Sequence, residues 1–186
     1  MKIIGGKFKG RNFYTHQSIR PTQNLVRKAV FDMLGDLSGM DFLELFAGSG
    51  AVGWEAFSRG ARSVALVERE PQCVEVIQEN MRLFGIEQAF PFDGACRLFE
   101  GDVFVQIKHL AQQKKKFDVI FADPPYEQEL GKKLLKTLMA HDILRPNCLI
   151  ILQHYRREIL PEIPDGFLLI RKKKYGTSIL SIYTPH

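Results

Sequence analysis

The chain has 186 residues, 45% of them hydrophobic and 25% charged, which matches an average globular chain with one substantial core. No stretch approaches the roughly 20 apolar residues of a membrane-spanning helix, and Cys73, Cys96 and Cys148, without CxxC spacing, support neither a disulfide framework nor a zinc site. The net charge is +5, and its distribution is uneven: Lys2, Lys7, Lys9, Arg11, Arg20, Arg27 and Lys28 precede the first acidic residue, Asp32, which favours a polyanionic partner. The start, MKIIGGKFKGR, has Gly and Lys where a secretory signal needs an apolar run, so a cytoplasmic protein is expected.

In chain order, segments 2–4 and 8–14 flank the turn-prone Gly5-Gly6 and predict a basic β-hairpin or extended arm. From Thr22 as N-cap, Leu25, Val26, Ala29, Val30, Met33 and Leu34 recur at helical spacing until Gly35. Short β-rich runs then alternate with helical patterns: strands at 42–46, 63–67, 96–100, 117–122 and 147–153, helices at 51–59, 71–84, 102–113 and 128–140. That alternation predicts an α/β fold, a parallel sheet with helices on both faces. The last run, FLLIRKKKYGTSILSIY, leaves no room for a crossover helix around Tyr175-Gly176 and predicts an antiparallel hairpin at the sheet's edge. A single domain over 1–186 is expected, with a basic arm (1–21), a linking helix (22–35) and a core (40–186); Lys114-Lys115-Lys116 reads as a solvated loop.

The first core strand runs through Phe46 into Ala47-Gly48-Ser49-Gly50-Ala51-Val52-Gly53, a G-x-G-x-x-G between strand and helix. Glycines there let backbone approach a ligand at a helix N-terminus. Glu68 follows Gly48 by 20 residues, at the end of the next strand, where a carboxylate accepts ribose hydroxyls. A nicotinamide dinucleotide and S-adenosylmethionine both fit, since both present an adenosine ribose. Glu44, just ahead of the glycines, would repel a pyrophosphate but suits the ammonium of a methionine moiety. Asp102 is placed to accept from an adenine amino group, to cap the following helix, or to do both.

FDVIFA is followed by Asp123-Pro124-Pro125-Tyr126, at the end of a strand expected beside the glycine strand. The two prolines fix φ and lack N–H donors, leaving stiff backbone with free carbonyls. An exocyclic base amine matches this surface: Asp123 accepts one amino hydrogen, the Pro124 carbonyl the other, and Tyr126 stacks on the base. Transfer to such a nitrogen rests on positioning and needs neither a metal nor a covalent intermediate.

FLELFAGSGAVGWEA, LVERE, FDVIFADPPY and the preceding IIGGKFKGR…RPT…VRKAVFDML together resemble the bacterial 16S ribosomal RNA guanine-N2 methyltransferase family over nearly the whole chain. The resemblance implies a class I methyltransferase fold, S-adenosylmethionine as donor, and transfer to N2 of one guanine in small-subunit ribosomal RNA. It also implies that Arg20, Pro21 and Thr22 lie near the active site and that the arm, with Lys7, Lys9 and Arg11, lies on RNA. The chain departs from the family pattern at Leu25, Lys28 and Gln153, where an arginine and two glutamates are common; this bears on the RNA contacts. The nearest alternative is a DNA adenine-N6 methyltransferase, against which stands the lack of chain for target reading. A nicotinamide-dependent oxidoreductase lacks a hydride-transfer site, His16, His109, His141, His154 and His186 being scattered, and an RNA-binding protein without turnover is opposed by the intact DPPY. A monomer is expected, because a large particle needs an open surface.

Overall fold

A computed structural model describes residues 1–15, 24–86, 96–126, 130–160 and 166–186. Its seven strands form one sheet in the order β3-β2-β1-β4-β5-β7-β6. The four central strands β1 (Asp41–Leu45), β2 (Ser63–Glu68), β4 (Phe117–Ala122) and β5 (Leu144–Tyr155), with β3 (Cys96–Glu100) outside β2, are parallel. At the other side β7 (Ser178–Pro185) runs antiparallel between β5 and the edge strand β6 (Phe167–Tyr175). The expected α/β architecture and C-terminal hairpin are both present.

The central strands are buried on both faces, so they read as continuous apolar runs. On one face α1 (Asn24–Leu34), α2 (Ala51–Ser58) and α3 (Pro71–Leu83) bury Val30, Phe31, Trp54, Ile77 and Met81 against Phe42, Val64 and Ile151. On the other, α4 (Val103–Gln112) and α5 (Gly131–Ala140) bury Ile107, Leu110, Leu134 and Leu138 against Leu43, Ile120 and Ile150.

Both ends of β5 differ from the sequence reading, and α5 starts at Gly131 rather than 128. β5 starts at Leu144, three residues early, because the strand tolerates Pro146 and a left-handed Asn147 (φ 64°) at an irregularity in its register with β4. It runs on to Tyr155 because β7 supplies partners for His154 and Tyr155. The N-terminal segment folds back on itself as expected, through the Lys2–Asn12 bridge, but it is docked rather than extended. Ile3 and Phe13 enter the core, Ile4 N–H donates to Glu55, and Lys7 and Phe8 N–H groups donate to Ser58. A Cβ on Gly6 (φ +73°) would lie 1.9 Å from the Ser58 carbonyl oxygen, so this turn requires glycine on both conformational and steric grounds. Thr22, the expected N-cap of α1, and Arg20 lie outside the described residues.

Lower in the sheet, Asp41 at the start of β1 accepts from Arg62, Ser63 and Arg145. The three cysteines are buried and unpaired, which leaves them as small core hydrophobes. Among the described residues, no helix is long and apolar enough to cross a membrane.

Candidate active site

The carboxyl ends of β1, β2 and β4 lie level, Leu45 pairing with both Val67 and Ala122, and this edge collects the glycine loop, Glu68 and DPPY. In the loop Phe46, Gly48 and Gly50 all have positive φ (57°, 56° and 74°). A left-handed conformation costs a non-glycine residue about 1 kcal/mol or more, so Phe46 is held there by its surroundings, its ring edge-on to Phe104. Trp54 Nε1 donates to the Ser49 carbonyl at 2.7 Å, and a Cβ on Gly50 would meet that indole nitrogen at 2.8 Å. A Cβ on Gly53 would fall 2.4 Å from Leu66, so the third glycine serves helix-to-sheet packing. The loop backbone is further pinned by Ala47 N–H to Val67 O and Gly50 N–H to Ala47 O.

Glu68 closes the loop from the side. Its Oε2 accepts from Gly48 N–H at 2.6 Å and its Oε1 from the amides of Arg69 and Glu70. Three of about four acceptor positions are therefore used by backbone, leaving one for an incoming hydroxyl. Glu44 lies beneath the loop, 3% exposed, with its carboxyl accepting from Val52 and Gly53 N–H at the start of α2. Burial pushes it up to about 8; the two amide hydrogen bonds oppose this, and the charges of Asp123 and Glu68 add to it. Asp102 caps α4, accepting from Phe104 and Val105 N–H, and its second oxygen lies 4.0 Å from Arg69.

At the end of β4 Asp123 is half-buried, Pro124 buried and Pro125 exposed. Tyr126 is fixed at both ends: Gln153 Nε2 donates to its hydroxyl at 2.9 Å, Ser178 Oγ lies 2.8 Å from the same oxygen, and the ring stacks on Tyr155 at 5.8 Å. Gln153, Tyr155 and Ser178 are site residues that sequence reading did not assign. They come together only because β5 and β7 pair Tyr155 with Ser178.

Lys7 and Arg11, expected to contact RNA, lie away from this edge. α2 and α3 start at this edge and run back from it, about 12 and 20 Å at 1.5 Å per residue, and the arm sits on their far ends. There Lys7 lies over the rings of Phe8 and Phe57, while Arg11 lies over Phe8 and Phe84 and donates to the Leu83 carbonyl. Among the described residues, no three His, Cys, Asp or Glu side chains cluster as a metal site.

A level parallel edge with a glycine loop, an acidic residue on the neighbouring strand and an antiparallel C-terminal hairpin is the class I methyltransferase fold. The family model described as conserved hypothetical protein 95 matches residues 1–184, and the chain belongs to that family. YlbH of Bacillus subtilis, which carries a provisional rRNA methyltransferase name, is 30% identical over 98% of both chains. Ribosomal RNA small subunit methyltransferase D of Escherichia coli is 28% identical over 98% of this chain and 89% of its own. The solved structure of yhhF from Escherichia coli, provisionally named a methyltransferase, superposes with a TM-score of 0.85 at 26% identity, covering 100% of this chain and 98% of that one.

Proposed function

We propose that the protein transfers the methyl group of S-adenosylmethionine to the exocyclic N2 of a guanine in small-subunit ribosomal RNA. The observation that carries this reading is the placement of DPPY on β4 directly beside the glycine loop of β1, so that an amine acceptor and a nucleoside donor share one edge. The residues present fit the donor. Glu68 keeps an acceptor position for a ribose hydroxyl, and the carboxyls of Glu68 and Asp123 beside the loop suit a cation and oppose a pyrophosphate, with Glu44 beneath ionising once a cation sits above it. When bound, S-adenosylmethionine supplies a methyl on a sulfonium that departs as a neutral thioether.

The chain's own part is positioning. Asp123 and the Pro124 carbonyl hold the two amino hydrogens and turn the nitrogen lone pair toward the methyl carbon, and the surplus proton leaves to solvent after the N–C bond forms. Tyr126, tied at its hydroxyl and fixed against Tyr155, is a rigid platform for the base. Phe46, Ala47, Gly48, Ser49, Gly50 and Asp102 line the donor side in this reading, with Lys7, Lys9, Arg11, Arg20 and Thr22 on RNA. The names of the curated relatives support an RNA substrate.

Tritiated methyl transfer to duplex DNA, free 16S RNA and 30S particles, with mapping of the product nucleotide, tests the assignment. The expected product is N2-methylguanine in 16S RNA. Preference for DNA, or methylation of adenine, would replace it with the DNA enzyme.

A further inference from the structure

The edge strand β6 carries Arg171, Lys172, Lys173 and Lys174 in succession, all exposed. None of the four makes an ion pair with a described residue; Lys173 only leans on the Tyr175 ring. Their register ties them to the site. Ala122, Leu152, Ser181 and Lys172 form one row across β4, β5, β7 and β6, which puts the run about 14 Å from the strand that ends in Asp123 at the usual strand spacing. β6 points the same way as β4 and β5, so the run climbs toward the catalytic edge and ends at Tyr175, opposite Ser178, the residue that touches the Tyr126 hydroxyl.

Alternation spreads the four cations over both faces of the strand. Arg171 and Lys173 line a cleft of about 190 Å³ with Ala29, Asp32, Met33 and Leu180, where Asp32 is paired with Lys28; Lys172 and Lys174 take the opposite face. Edge-strand lysines commonly serve to block unwanted strand pairing. One or two would suffice for that, and the bulge between Leu169 and Arg171 already disturbs this edge. Four successive cations that form no ion pair with a described residue, on a strand that leads to the base platform, have the charge of a phosphate track.

We infer that β6 binds the RNA backbone flanking the target nucleotide and so delivers the base to Tyr126. The inference rests on the RNA reading above. Phosphate contacts position without reading sequence, so the track sets affinity and orientation while DPPY selects the amine.

The test replaces all four residues with Gln and measures binding to free 16S RNA and to 30S particles at several salt concentrations, with S-adenosylhomocysteine titration as the check on folding. Loss of four phosphate contacts should flatten the log affinity against log salt slope by about 3 and weaken binding about tenfold or more, with S-adenosylhomocysteine binding unchanged. If the fourfold variant fails to bind S-adenosylhomocysteine, the pairs Arg171→Gln/Lys173→Gln and Lys172→Gln/Lys174→Gln are read instead, each expected to take about half of the slope. An unchanged slope with RNA methylation intact would overturn the inference and leave the proposed function standing, and the lysines would then be guards against strand pairing. Weakened binding to 30S particles with unchanged binding to free RNA would also overturn it, in favour of an acidic protein surface. Absence of RNA binding and methylation in the wild type that still binds S-adenosylhomocysteine would remove the proposed function itself.

Discussion

Asp123 and Glu44 are both carboxyls at the catalytic edge, yet their environments assign them opposite duties. Asp123 is half-buried, and in the proposed reaction it holds the acceptor amine, so Asp123→Ala should lower turnover on the order of 100-fold while leaving donor affinity near wild type, checked by single-turnover methyl transfer and isothermal titration. Glu44 is sealed under the loop and holds a proton up to about pH 8, chiefly because burial penalises its charge. A cationic donor bound above it favours the ionised form, so donor affinity should rise with pH through about 8 in the wild type and stay level in Glu44→Gln. Stability has the reverse sign. A carboxyl whose folded value is raised contributes stability that is complete below its ordinary range and is lost as pH climbs through about 8. The urea midpoint of the wild type should therefore fall relative to that of Glu44→Gln as pH rises toward about 8 and level off above it, and parallel curves for the two proteins would remove this role.

Among the elements, the N-terminal arm is held by its own cations. Arg11→Gln removes stacking on Phe8 and Phe84 and the bond to the Leu83 carbonyl, and should cost about 1 kcal/mol in urea unfolding. Lys9→Gln, with no ring or carbonyl partner among the described residues, should cost nothing measurable. The arm's basic charge was legible in the sequence, but its docking was not, because Ser58, Asn80 and Leu83 reach it only through the packing of α2 and α3. The parallel core was legible as alternating apolar runs, and the 20-residue spacing from Gly48 to Glu68 proved to be a direct hydrogen bond. β5 was misjudged at both ends: Pro146-Asn147 reads locally as a stop, and the partner that extends the strand lies more than 20 residues onward. For the same reason Gln153, Tyr155 and Ser178 carry no local mark of their place around Tyr126.

For the molecule as a whole, the sheet separates chemistry from anchorage. The carboxyl ends of the strands carry the glycine loop, Glu68 and DPPY, where the proposed chemistry takes place, and the opposite end is locked by Asp41 with Arg62, Ser63 and Arg145. Burial alone would raise the Asp41 carboxyl, but the hydrogen bonds from Arg62, Ser63 and Arg145 outweigh it and hold the group at about 2. A depressed value contributes stability above the ordinary carboxylate range that disappears as pH falls through about 2. Asp41→Asn should therefore be less stable than wild type at neutral pH, by about 1–3 kcal/mol, with the gap closing as both are titrated into acid. A gap that persists at low pH would mean that the network is held by shape rather than by charge. The buried cysteines have a further use. Burial raises all three thiols, Cys73 to about 11 and Cys148 to about 12, with Cys96 higher still, so at neutral pH the native chain offers little thiolate to an alkylating reagent. A single Lys172→Cys substitution would then be selectively addressable without first stripping the natural cysteines, and a photo-crosslinker attached there would report which nucleotides pass along the edge strand.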